Sequence, residues 1–168
     1  MKKVFLYAAA VLSVAYAAFL ALRPARGPIL RDEMLQASTL MAAAEAAVRD
    51  CRVKAGVAID PEADPNGTGL VGLETSPITT SLGNLGAKRT TTNPNFAGLV
   101  AALLAEAGVR SGDTIAVGAS GSFPALIIAT LSAARVMNLR VLLVTSLGAS
   151  EWGANDPAFG WLDMDDCL

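Results

Sequence analysis

The chain has 168 residues, a formal net charge of −2, 53% hydrophobic and 17% charged residues, and only 5 Phe, 2 Tyr and 2 Trp. It is too apolar for a disordered chain, and with no basic surplus and few stacking platforms it excludes nucleic acid as a partner. Histidine is absent, which removes the commonest general base, the commonest zinc ligand and any Ser-His-Asp triad, so no metal and no cofactor is expected.

The first element is apolar. Val4 to Leu22 reads VFLYAAAVLSVAYAAFLAL, about 19 residues that as a helix span ~28 Å, close to the ~30 Å hydrocarbon core of a bilayer. Lys2 and Lys3 precede the run, and Arg23, Pro24 and Arg26 end it by charge and by a ring that opposes helix continuation. Residues 1–26 therefore read as a single-pass anchor in the cell membrane. The basic residues are nearly balanced on its two sides, so orientation rests on the short tail, which places the remaining chain outside the cytoplasm. A cleaved signal peptide is the competing reading, but the run exceeds a usual h-region and passes into Arg-Pro instead of a small-residue cleavage site.

Residues 27–58 hold a juxtamembrane helix. From Arg31 to Lys54 helix formers are almost uninterrupted, Leu35, Leu40, Met41, Ala44, Val48 and Cys51 recur at near-helical spacing, and Gly56 closes the segment. Asp32 and Glu33 in the first turn and Arg49, Arg52 and Lys54 in the last follow the order that the helix dipole favours. The alanine-rich face is expected to pack on the domain that follows, with a second copy as the alternative.

That domain occupies residues 59–168. It begins with a turn-rich stretch from Ile59 to Thr92, read as a binding loop or a strap leading into the domain. Asn93-Pro94 then predicts a helix start, with FAGLVAALLAEAGV running to Gly108. Downstream, Thr114–Val117 reads as a strand, Gly118–Phe123 as a small-residue loop, Pro124 as the start of a helix, and Arg140–Thr145 as a second strand. Strand, loop, helix and strand in this span predict a right-handed parallel βαβ unit, so the expected fold class is α/β with a Rossmann-like domain. Two strands do not make a covered parallel sheet, and the domain is expected to be the first part of a larger one. Cys51 and Cys167 read as one buried helix thiol and one loose near-terminal thiol, with a disulfide as the alternative.

Ligands of open parallel sheets gather beyond the C-terminal ends of the strands. That edge offers Ser120, Gly121 and Ser122 after the first strand, and Ser146, Ser150, Trp152, Asn155 and Asp156 after the second. The first loop suits a phosphate or carboxylate, and equally suits a tight turn capped by Ser122. Gly118-Ala119-Ser120-Gly121-Ser122 nearly matches a nucleophile elbow, but without histidine Ser120 would need Lys88 or a carboxylate brought from afar. Lys88, Arg89 and Thr90 form a second anion-binding candidate, with a solvated loop as its alternative. Trp152 and Trp161 are read either as pocket aromatics or as lid packing.

The strings SPITTSLGNLGAKRTTTNPNFAGLV, GASGSFPAL and SLGASEWGANDPAFGWLDM, with Asp60-Pro61, Asp64-Pro65-Asn66 and Thr68-Gly69 before them, resemble the poly-gamma-glutamate system protein family over roughly residues 59–164. The resemblance implies an accessory membrane protein of poly-γ-glutamate synthesis or export, acting beside the other synthesis proteins and binding an anionic small molecule or the polymer. It carries over no catalytic residues. An enzyme is the alternative, a hydrolase or transferase acting on the γ-glutamyl chain through Ser120 or Ser122.

Overall fold

The computed structural model describes residues 2–22, with the backbone alone at 2–4, 6, 8 and 20–22, and residues 31–168. Six helices, α1 (Lys2–Leu22), α2 (Arg31–Lys54), α3 (Leu85–Thr91), α4 (Asn95–Glu106), α5 (Pro124–Val136) and α6 (Trp161–Asp165), are joined by four strands among the described residues. The strands are β1 (Thr114–Ser120), β2 (Arg140–Ser146), β3 (Asn155–Asp156) and β4 (Phe159–Gly160).

The expected single-pass anchor is corrected: among the described residues no helix is long and apolar enough to cross a membrane. The length counted from the sequence drew on Val4, Leu6, Ala8 and Leu20–Leu22, whose side chains lie outside the description, as do Arg23, Pro24 and Arg26. Neither the cell-membrane location nor the extracytoplasmic placement is retained.

The expected Rossmann-like sheet is corrected as well. β1 and β2 pair in parallel from Thr114↔Arg140 to Ser120↔Ser146 and make a sheet of two strands, while β3 and β4 form a separate antiparallel pair. Both long strands alternate between exposed and half-buried positions, so one face is partly covered and the other is open. A doubly wound sheet needs cover on both faces. Here the open face carries Ala116, Gly118, Leu142 and Val144, the last two 65% and 73% exposed. The fold is mixed helix and strand, with its core among helices.

That core lies where α2, α4 and α5 meet. Ala37, Met41 and Val48 of α2 pack with Ala97 and Ala101 of α4 and with Ala125, Ile128, Ala129 and Ala133 of α5. Alanine at so many contact positions brings the backbones close. At Gly98 an added Cβ would lie 2.9 Å from both Met34 O and Ser38 Oγ, so glycine is what this α2–α4 approach permits.

The α2 bounds are those expected from the sequence. For α4, Asn93 Oδ1 accepts from the Asn95 N–H at 3.0 Å, so the expected asparagine supports the helix start although Pro94 holds the cap position. The stretch expected as irregular contains α3. Asn84 Oδ1 caps it by accepting from the Ala87 N–H at 2.8 Å. Thr90, Thr91 and Thr92 then donate to the Gly86, Lys88 and Arg89 carbonyls, each at 2.8 Å, which satisfies the helix end from its own side chains.

Cys51 and Cys167 are joined in a disulfide across 116 residues of sequence, correcting the expectation of two thiols. The bond ties the end of α2 to the segment after α6, whose Trp161 and Met164 are buried in the core. Cross-linking so long a loop removes much of the unfolded chain's freedom. Reduction, or Cys51→Ser, is expected to lower stability by about 4 kcal/mol, read as the shift of the urea midpoint; an unchanged midpoint on reduction would show that the bond constrains nothing.

Glu45 is buried beside this core, and its Oε1 has no hydrogen-bond partner among the described residues. Burial first, and the charge of Asp64 second, raise its carboxyl from 4.5 to about 7. The folded value stands above the unfolded one, so stability is fully present below about pH 4.5 and is lost as pH rises through about 7. Glu45→Gln keeps the neutral shape and is expected to add on the order of 1 kcal/mol at about pH 8, allowing for solvent screening. At about pH 4 denaturant melts of the two proteins should coincide.

Candidate functional site

Three segments meet beyond the C-terminal ends of β1 and β2: α3, the loop 120–123 and the loop 147–154. Small residues allow the approach. A Cβ at Gly153 would lie 2.7 Å from Gly121 O and 2.8 Å from Ser122 Cα, so the two loops touch backbone to backbone. The Ala154 N–H donates to Gly121 O at 2.7 Å, and the Ser150 N–H donates to Ser122 Oγ at 2.9 Å.

Lys88 of α3 crosses both loops. Its side chain is 3% exposed, and Nζ donates to Ser122 O and lies 2.8 Å from Ser150 Oγ. Nζ also sits 3.7 Å from the centroid of the Phe123 ring, a cation–π position. The ion pairs among the described residues are Arg49–Asp50 and Arg52–Asp156, so Lys88 has no carboxylate in reach. Burial pushes its ammonium below the ordinary lysine range.

The other basic candidate is spent on the strap. Arg89 Nε donates to Ala63 O at 2.8 Å and Nη2 donates to Glu62 O, and neighbouring Thr90 is exposed with its hydroxyl on Gly86 O. Ser120 and Ser146 are register partners at the ends of the strands, and both are exposed. Ser120 Oγ accepts from the Ser122 N–H at 3.3 Å, and Ser146 Oγ donates to Gly148 O at 2.8 Å. Gly121 and Ser150 are buried, Ser122 half-buried.

Asn155 and Asp156 belong to the framework. Asn155 is fully buried; its Oδ1 accepts from the Leu73 N–H at 2.9 Å, and Nδ2 donates to Leu73 O at 2.8 Å and to Thr79 Oγ1 at 2.9 Å. Asp156 Oδ2 pairs with Arg52 at 3.3 Å, and Oδ1 accepts from the Ala158 N–H at 2.9 Å. Trp152 is half-buried with φ of 61°, a left-handed conformation costly for so large a residue. Two backbone bonds to the strap hold it there, its N–H donating to Leu73 O at 2.8 Å and its C=O accepting from the Gly72 N–H at 3.3 Å. Trp161, by contrast, is core.

Two contributors were not anticipated. Phe123 faces Lys88 and also lines a groove of about 240 Å³ along β1, with Ser120, Leu126, Ile127 and Thr130. The strap 72–83 runs beside the loop 149–155, with a parallel bridge at Thr79↔Ala149 and the Thr80 N–H on Ala149 O at 2.8 Å. Neither pairing has a local signal, because each joins residues far apart in the chain.

No protein-family model matches the chain, and no curated protein or solved structure matches it. The three segments nonetheless define a class of site: a buried primary amine without a carboxylate partner, flanked by serine hydroxyls and roofed by one aromatic ring.

Removing the amide of Asn155 takes the partner from the Leu73 N–H, the bond from Thr79 Oγ1 and one of the two bonds to the Leu73 C=O, which keeps the Trp152 N–H. Asn155→Ala is therefore expected to cost about 3 kcal/mol and to raise amide hydrogen exchange in both the strap and the loop 149–155. Faster exchange in only one of them would separate the two segments.

Proposed function

We propose that the chain is an accessory component of poly-γ-glutamate synthesis or export, acting with the other proteins of that system, and that the edge beyond β1 and β2 binds an anionic ligand. The polar strings quoted above support the system. The observation that carries the ligand class is the Lys88 amine, buried with no carboxylate within ion-pair distance among the described residues.

A buried ammonium without a counter-charge is costly, and an arriving anion relieves that cost. At the strand ends, the exposed hydroxyl of Ser120 supplies a donor and that of Ser146 supplies one by turning from Gly148 O, and the N-terminus of α5, a helix of 13 residues, adds positive potential from its peptide dipoles. A carboxylate of the polymer, or of a small acid, matches this edge. Arg89 takes no part, since strap carbonyls hold its guanidinium.

Calorimetric titration with γ-linked glutamate oligomers is expected to give saturable binding that weakens with salt and weakens as pH rises, because burial has lowered the pKa of the amine. Ser120→Ala combined with Ser146→Ala should reduce affinity about tenfold, the worth of two modest hydrogen bonds. Binding unaffected by this pair would move the ligand to another surface. No binding of γ-linked or α-linked glutamate oligomers would remove the reading.

A further inference from the structure

Lys88 and Ser150 have a relationship that anion binding does not use. Nζ lies 2.8 Å from Ser150 Oγ, with the two residues 3% and 6% exposed. A single residue orients both. Ser122 accepts from Nζ through its carbonyl, and its hydroxyl accepts from the Ser150 N–H at 2.9 Å.

We propose that Ser150 and Lys88 are a nucleophile and its general base, built to open an amide or ester carbonyl, with Ser122 as the positioning residue. The amine donates to both the Ser122 carbonyl and Ser150 Oγ. Once it gives up a proton, the bond to the Ser122 carbonyl can stay and the nitrogen lone pair can accept from the Ser150 hydroxyl across the same 2.8 Å. The Phe123 ring, 3.7 Å away, covers the amine with low-dielectric surface, and no carboxylate among the described residues pins the proton on it. A base next to a serine and oriented by a third group is the arrangement that makes a hydroxyl nucleophilic, and lysine serves as such a base where histidine is lacking.

The reaction balances with water as the second reactant. Ser150 Oγ attacks the carbonyl carbon, the Oγ–C bond forms, the carbonyl π pair moves onto oxygen, and the hydroxyl proton passes to Nζ. As the pair returns, the C–N or C–O bond breaks, and the leaving amine or alcohol takes that proton. Water then attacks the acyl-serine, delivers its proton to Nζ, and the acid departs as Oγ recovers the proton. Ser120, in the near-elbow sequence, is not the nucleophile: its exposed hydroxyl accepts the Ser122 N–H.

This proposal does not rest on the anion reading, and the two separate by pH. A bound carboxylate favours the protonated amine, whereas nucleophilic attack needs it free. Treating the full purified chain with a fluorophosphonate, followed by peptide mapping and intact mass, is expected to place one phosphonyl group on Ser150, at a rate that increases with pH. Lys88→Arg keeps a donor and a charge but does not lose its proton in this range, so it should label at least 100-fold more slowly, and Ser150→Ala should not label in that peptide. An unlabelled chain that circular dichroism and a cooperative thermal melt show to be folded overturns the proposal, as does labelling at Ser120. Labelling of folded Lys88→Arg at the parent rate overturns the role of the base. If that variant does not fold, the wild-type profile decides alone: a rate independent of pH between about 6 and 10 overturns the base, and one that rises and levels off supports it. Failure to bind glutamate oligomers leaves all of these outcomes unchanged.

Discussion

A primary amine placed out of water dictates how the far edge of this molecule is assembled. Lys88 contributes to three arrangements at once: it holds the Ser122 carbonyl, touches the Ser150 hydroxyl and lies under the Phe123 ring. Each contact comes from a different part of the two loops that follow β1 and β2, so the position of one nitrogen sets the spacing between them. The amine reaches that position because Asn84 starts a short helix and the threonine hydroxyls finish it. Were α3 an irregular strap, nothing would aim the side chain inward against the cost of its burial.

The same edge depends on where the core is not. The helices α2, α4 and α5 bury the alanine, methionine and isoleucine side chains that stabilise the chain, while the two-stranded sheet contributes one partly covered face. The loops beyond the strands are therefore not buttressed by neighbouring strands, as they would be in a wide parallel sheet. The strap does this instead. It pairs with the loop after β2 through backbone bonds and through the Asn155 amide, and its close approaches need glycine: a Cβ at Gly83 would lie 2.3 Å from Glu151 O.

Sequence patterns carried the local decisions and failed on the long-range ones. The bounds of α2 were readable because propensity, end charges and Gly56 all act within a few residues, and the asparagine before α4 was readable for the same reason. α3 was hidden because Gly86 and three threonines read as turn residues, although Asn84 was a usable capping signal. The Rossmann-like domain was over-read from two apolar runs, since RVLLVTS places Leu142 and Val144 on a face that nothing described covers. The disulfide joins positions 116 residues apart and has no periodicity to announce it. Among the candidate residues, serines and lysine were singled out by type, but which hydroxyl the amine meets depends on the path of the strap. Ser150, not Ser120, is the partner for that reason.

The two buried cations among the described residues, Arg52 and Lys88, are held in opposite ways. Arg52 is as deeply buried as Lys88, yet its guanidinium is committed in every direction: Nε to Ala58 O, Nη1 to Gly69 O, Nη2 to Asp156, and the Phe159 ring beside it. A planar, permanently charged group with fixed partners is suited to joining α2, the strap and β3, and to nothing that requires a proton to move. Lys88 has the opposite endowment. Its charge is removable, its neighbours are a carbonyl, a hydroxyl and a ring, and no carboxylate among the described residues holds the proton in place. A fold seeking only stability would gain by giving that nitrogen an acid partner or by replacing it with an apolar side chain. An amine there, against Ser122 and Ser150 and at the end of a parallel strand pair, is why we propose for this edge a group that exchanges protons or accepts a charge from outside.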